Sequence, residues 1–289
     1  FASTGNNNSV LGYGAGSNSK GDNNTSIGLG AGFNTQGGHN TAIGEYAGSN
    51  AVGDNNFMGG SGAGANSKVS GSVVLGNNAA FESEGFSNVL LGNNVATGAK
   101  GDVNIAIGQA AGVQSEGRAN IIMGVQAGTL SKGDGNIMSG VQAGVESSGN
   151  NNQFAGELAG SGLKGNFNQA QGLQAGLTAT GNNNIINGSN SGIALNGSDN
   201  VLLGQMAGSL VSYDSAQNKY FDRNGNEVAA SGLAVSNTVS LGNLSLAQSN
   251  QAVAIGSNAT VGGGIAGSMA LGSNALTSVA NSVALGADS

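Results

Sequence analysis

A glycine that closes a short apolar run recurs at a spacing of sixteen residues thirteen times in succession, from Gly12, Gly28 and Gly44 to Gly172, Gly188 and Gly204. A fixed period the size of one supersecondary unit means stacked, near-identical coils, so the chain reads as an all-β solenoid whose function lies on an extended surface. Counting from this closing glycine, another glycine stands seven residues earlier in twelve of the thirteen copies, Val69 being the exception, and asparagine four earlier in twelve, Ser72 being the exception. Alanine stands three later in eleven copies, replaced by Val95 and Ser191, and glycine four later in eleven, replaced by Ala80 and Ala96. The expected coil is a turn of Gly, Asn and Asp, a three-residue strand, a glycine corner and a second short strand carrying Ala-Gly. Gly and Asn enter positive φ at low cost, as tight corners demand.

The apolar triplets bear on assembly. Successive strand side chains point to opposite faces. Yet Val73-Val74-Leu75, Val89-Leu90-Leu91, Ile121-Ile122-Met123 and Val201-Leu202-Leu203 are apolar throughout, so both faces must leave water. One face fills the coil's interior, and a sixteen-residue coil is too thin to cover the other. Self-association is therefore expected, a homotrimer being the simplest rotational bundle.

Composition narrows the partners. The absence of proline fits a ladder in which nearly every N–H is bonded, and the absence of cysteine removes disulfides and thiolate sites. A net charge of −7 argues against nucleic acid, which needs a basic stripe. No apolar run near 18 residues and no leader or lipid motif is visible, as expected of a fragment of a longer exported chain with no direct membrane contact of its own.

Residues one period apart should stack about 4.8 Å apart on adjacent coils. Lys68, Glu84, Lys100, Glu116 and Lys132 then form a column of alternating sign, and Asp102, Arg118 and Asp134 a second one. These are expected to be inter-coil ionic ladders, each exposed pair contributing a few tenths of a kcal/mol.

Residues 1–208 thus form a thirteen-coil β-roll, 209–231 an insertion, and 232–289 a further run of repeats with NTVSLG (237–242), QAVAIG (251–256), GSMALG (267–272) and NSVALG (281–286) spaced 14, 16 and 14. Asn224-Gly225 marks a hairpin turn, so the insertion is expected to project as a hairpin or loop. Its Tyr213, Tyr220, Phe221 and Arg223 are types favoured at interaction hot spots, and contact with ligand or with a neighbouring subunit are both open. In the middle coils Gln153, Gln169, Gln171 and Asn187 replace apolar strand residues. Buried amides need partners, so stacked amide ladders are expected, either as a register device or as local tolerance of polarity.

Catalytic and metal chemistry has little support. GYGAG (12–16) and GLGAG (28–32) imitate dinucleotide loops without a following helix. Asp22, Asp54, Asp102 and Asp134 follow a turn glycine but lack the nine-residue period of calcium repeats, so turn chemistry is the expected role. Asp222, Asn224 and Asn226 open like an EF-hand, but Glu227 and Leu233 stand where Gly and Glu are required. His39 is the sole histidine and cannot build a triad. No enzyme activity and no cofactor are expected.

NSVALG and QAVAIG resemble the head repeats of YadA-like trimeric autotransporter adhesins of Gram-negative bacteria. The resemblance is close over 232–289, and over 5–208 it is to a variant repeat, as in NTAIGEYAG (40–48). It implies a left-handed parallel β-roll of 14–16 residue coils, assembled as a homotrimer, at the cell surface on a stalk and an outer-membrane anchor. It also implies a cell-adhesion and virulence role. The expected function is an adhesin head binding extracellular matrix proteins, abiotic surfaces or other cells through multivalent contacts. The alternative is a structural spacer with no ligand of its own.

Overall fold

The computed structural model describes residues 3–222, 224–229, 232–287 and 289. The chain divides into two units, Phe1–Ser139 and Gly140–Ser289, each a parallel β-solenoid, with no helix among the described residues. Both boundaries of the insertion lie inside the second unit.

In the first unit the strands Ser9–Leu11, Thr25–Ile27, Thr41–Ile43, Phe57–Gly59, Val73–Leu75, Val89–Leu91, Ile105–Ile107, Ile121–Met123 and Ile137–Ser139 pair in parallel, sixteen residues apart. In the second, Gln153–Ala155, Gln169–Gln171, Ile185–Asn187 and Val201–Leu203 keep that step. Val201 then pairs with Val239 across the insertion, and Val253–Ile255, Met269–Leu271 and Val283–Leu285 follow at steps of 14, 16 and 14. The pairing is residue-for-residue, so the sequence period is the register.

Between the terminal coils the triplet strands bury their middle side chain: Val74, Met138 and Phe154 are at most 1% exposed, whereas Val10 in the first strand is 58% exposed. The two flanking side chains point outward. The remaining interior is filled by small residues such as Ala79, Ala127 and Ser67, because opposite walls of one coil lie close together.

The closing glycine follows from geometry. Gly44 has φ +132°, and a Cβ there would lie 2.6 Å from the carbonyl oxygen of Gly60 on the next coil. Gly12 and Gly28 meet their successors in the same way. Neither the dihedral nor the close stacking admits another residue.

The expected second strand is absent from the sixteen-residue coils. The stretch after the closing glycine is instead a run of turns in which every second residue is left-handed, as at Ala110 (φ 55°), Gly112 (φ 66°) and Gln114 (φ 52°). This alternation still sends N–H groups to both neighbouring coils: Gly112 donates to Ala127 at 2.8 Å and Gln114 to Thr97 at 2.9 Å. The recurrent Gly of Ala-Gly is a left-handed turn residue lying over the buried strand side chain; a Cβ at Gly48 would stand 2.9 Å from Met58 Cε. After the insertion a second strand does follow the corner, with Leu246–Ala247, Thr260–Val261 and Leu276–Thr277 pairing in parallel; in the sixteen-residue coils the further strand pair Lys68–Ser70 and Glu84–Phe86 lies before the triplet instead.

Candidate functional site

The corner before each strand is held by side chains. Asparagine four residues before the closing glycine receives the N–H of its successor through Oδ1, as Asn24 does from Asn40 at 2.9 Å and Asn104 from Asn120 at 2.9 Å. Its Nδ2 donates to the corner carbonyl of the next coil, as Asn104 does to Gly117 at 2.9 Å. Two residues earlier, an oxygen runs the other way: Asp54 Oδ1 accepts the N–H of Gly38 at 2.7 Å, Asp134 that of Arg118 at 2.7 Å, and Asn166 that of Asn150 at 2.8 Å. Side-chain oxygens thus substitute for a backbone ladder where the chain turns. The Asp residues that follow the turn glycine have this bonding role, and among the described residues no three His, Cys, Asp or Glu side chains gather to hold a metal ion. His39, left-handed at φ 60°, stacks with its Nε2 3.1 Å from Asn23 Nδ2.

The charged column is continuous in the backbone, with Lys68, Glu84, Lys100, Glu116 and Lys132 bridged in order. Lys68 Nζ lies 2.9 Å from Glu84 and Lys132 Nζ 3.4 Å from Glu116. The Lys68 hydrogen bond, then its charge and that of Lys100, hold the Glu84 carboxyl below its ordinary range. In the second column Arg118 reaches Asp102 at 2.8 Å, while the other oxygen of the nearly buried Asp102 accepts the Phe86 N–H at 3.1 Å.

The insertion is a three-stranded antiparallel meander, Val211–Asp214, Lys219–Asp222 and Glu227–Val228. At its second turn, Asp222 Oδ1 accepts the N–H groups of Asn224 and Asn226, both at 2.9 Å. The Asn226 side chain and backbone hold that carboxylate below its usual range. The carboxylate thus ties the turn together. The first turn was unmarked in sequence; there Asp214 accepts from Gln217 and Ala216, and Asn218 is left-handed at φ 55°. Tyr213 and Tyr220 stack with ring centroids 5.0 Å apart and pack on Leu177, Ile193 and Val211 of their own chain. Phe221 is half-buried, opposite Ser212 and Glu227. Arg223 lies outside the described residues. Lys219 pairs with Glu227 at 2.7 Å.

Gln153, Gln169, Gln171 and Asn187 are not buried. They flank buried Phe154, Ala170 and Ile186, so strand alternation turns them outward, onto the face that elsewhere carries Val, Leu and Ile. A further surface was missed in sequence: Tyr13, Leu29, Phe33 and Tyr46 border a hollow of about 260 Å³ floored by Gly14 and Gly30. Its signal was present, since aromatic residues enter these post-corner positions in adjacent coils.

No protein-family model and no curated protein sequence matches this chain.

Proposed function

We propose that the chain is the head of a bacterial surface adhesin, a left-handed roll assembled as a homotrimer and displayed at a Gram-negative outer membrane as part of a longer exported chain. One observation carries the assembly: the outward strand positions form ladders of half-exposed aliphatic side chains, such as Val73, Ile105, Ile107 and Met123, each 37–40% exposed. A soluble monomer rarely leaves so long an apolar stripe uncovered. The resemblance of NSVALG and QAVAIG to adhesin head repeats supports the rest. Binding is non-catalytic and multivalent, through side chains on the other faces, to matrix proteins, abiotic surfaces or other cells.

The spacer reading has its own support. Exposed Asn18, Asn34, Asn50 and Asn66 bond to one another at 2.8–3.0 Å, so a column available for recognition is used for stiffness. A binding panel of collagen, fibronectin, laminin and plastic separates the two. It should be run on the intact assembly and on a chain lacking residues 210–231. That deletion removes 22 residues from a 38-residue step and restores sixteen, with Gly232 already stacked on Ala194. The adhesin reading expects binding by both chains; binding by neither favours the spacer. Binding lost only on deletion, with the fold retained, assigns recognition to the meander.

A further inference from the structure

In the second unit the outward strand face changes character within a few coils. Gln153 stacks under Gln169, and Ala155, Gln171 and Asn187 follow in the companion column. Beyond them the face is wholly aliphatic: Val201 and Leu203, Val239 and Leu241, Val253 and Ile255, Met269 and Leu271. The amides are exposed, and among the described residues none of the four finds a hydrogen-bond partner in its own chain. Stacking does not prevent such bonds, since Asn18 and Asn34 bond at 2.8 Å across one coil step. These four groups are left with open donors and acceptors beside a half-exposed aliphatic stripe.

We infer that Gln153, Gln169, Gln171 and Asn187 are a polar key that fixes the axial register at which copies of this chain pack through the strand face. The inference rests on the assembly proposed above. A primary amide both donates and accepts, so it is complementary to itself. A second copy at zero axial shift sets amide against amide and aliphatic against aliphatic. A slip of one coil sets Asn187 against Leu203 and Gln169 against Ile185, leaving buried amides unbonded. The aliphatic ladders alone would accept a slip, because one coil's pair is much like the next. A few polar residues in an otherwise apolar seam set register in this way at a cost in stability.

The chain has no cysteine, so single introduced thiols report cleanly. Leu203→Cys and Ile255→Cys chains, differently tagged, are unfolded, mixed, refolded and oxidised. The two positions share a column two coils apart. That is roughly 9.6 Å, beyond the reach of about 7 Å for a disulfide between copies in register. The unaltered face should give only same-position disulfides. With Gln153→Met, Gln169→Met, Gln171→Met and Asn187→Leu added, the assembly should keep its mass and melt higher, same-position yield should fall, and 203-to-255 disulfides should appear. A monomeric unaltered chain by light scattering overturns the assembly and the key together. An assembled variant that still forms only same-position disulfides overturns the key alone. Should the fourfold variant precipitate, Gln169→Met with Gln171→Met is judged by the same outcomes.

Discussion

Asn120 offers the sharpest test of what holds the corners together. It is 5% exposed, its Oδ1 accepts the Asn136 N–H at 2.9 Å, and its Nδ2 donates to the Gly133 carbonyl at 2.9 Å. Asn120→Ala removes both at once, together with a longer Nδ2 bond to Asn104 Oδ1 at 3.2 Å. The Asn136 N–H is buried and would lose this bond outright, at about 1–3 kcal/mol; the Gly133 carbonyl is half-buried and can turn to water, at the low end of the same range. The expected total is about 2–4 kcal/mol. Asn120→Ser should cost about half as much, because the chain already runs that experiment: Ser72 stands in the same column and its Oγ accepts the Asn88 N–H at 3.1 Å. Serine keeps the acceptor but not the bond to the next corner carbonyl, since Ser72 Oγ donates to Ser70 of its own coil at 3.2 Å. Urea unfolding followed by circular dichroism gives the ranking. Solenoids can open segment by segment, so amide exchange at Asn136 is the decisive reading. Protection there should fall in the alanine variant and persist in the serine variant. Equal cost for both, or unchanged Asn136 exchange with alanine, would refute the account of the ladder.

Two further outcomes follow from the ladders and the corners. Glu84 is held below its ordinary range chiefly by Lys68, so its ion pair contributes stability above the unfolded-state pKa of a glutamate and loses it as pH falls through the depressed folded value; an NMR titration should show the Glu84 pKa rising toward normal in Lys68→Met and in high salt, and an unmoved value refutes the pairing. Gly44→Ala and Gly112→Ala should differ: at Gly44 the new Cβ meets the Gly60 carbonyl at 2.6 Å with φ +132°, whereas at Gly112 the nearest atom is 3.3 Å away and Ala80 and Ala96 already occupy that position of the coil. The first should cost more than about 3 kcal/mol and the second about 1 by thermal unfolding, and similar losses would contradict the stacking argument.

The glycine spacing made the period, the parallel register and the stacking of Lys68 over Glu84 legible, because one residue type at one spacing admits one ladder. Alternation separated the middle residue of each triplet from its two neighbours, but which face is inward, that of Val74, is seen only in the structure. The stretch after the corner was misread, since Ala-Gly resembles a weak strand while the requirement for left-handed backbone is masked by Gln114, Leu130 and Thr178, ordinary residues that adopt it anyway. Inter-coil hydrogen bonds overrode local preference there. The Gln and Asn of the middle coils look buried only when their triplets are compared as wholes with apolar ones; the alternation that buries Phe154 also turns Gln153 outward. The meander's first turn, Ser215-Ala216-Gln217-Asn218, escaped because no glycine marks it.

The corner ladders also bound where recognition can reside. The residue six before the closing glycine supplies an oxygen to the coil before it where it is Asp, Asn or Ser, as at Asp54, while Gly38, Phe86 and Arg118 hold the same place without one; the asparagine four before it accepts the N–H of its successor and donates to the next corner carbonyl. The closing glycine admits no side chain, and the third residue after it is inward and small. What remains free to vary is the outward strand pair, the charged column and the first residue after the corner. That first position changes from Tyr13 and Leu29 to Glu45, Ser61, Asn77 and Asn93 without disturbing the coil. If the strand pair is occupied by assembly, ligand contact falls to the post-corner residues and the meander. A search for binding determinants therefore begins with Tyr13, Leu29, Val125, Val141 and Leu173, which are exposed aliphatic or aromatic side chains that the fold itself does not require.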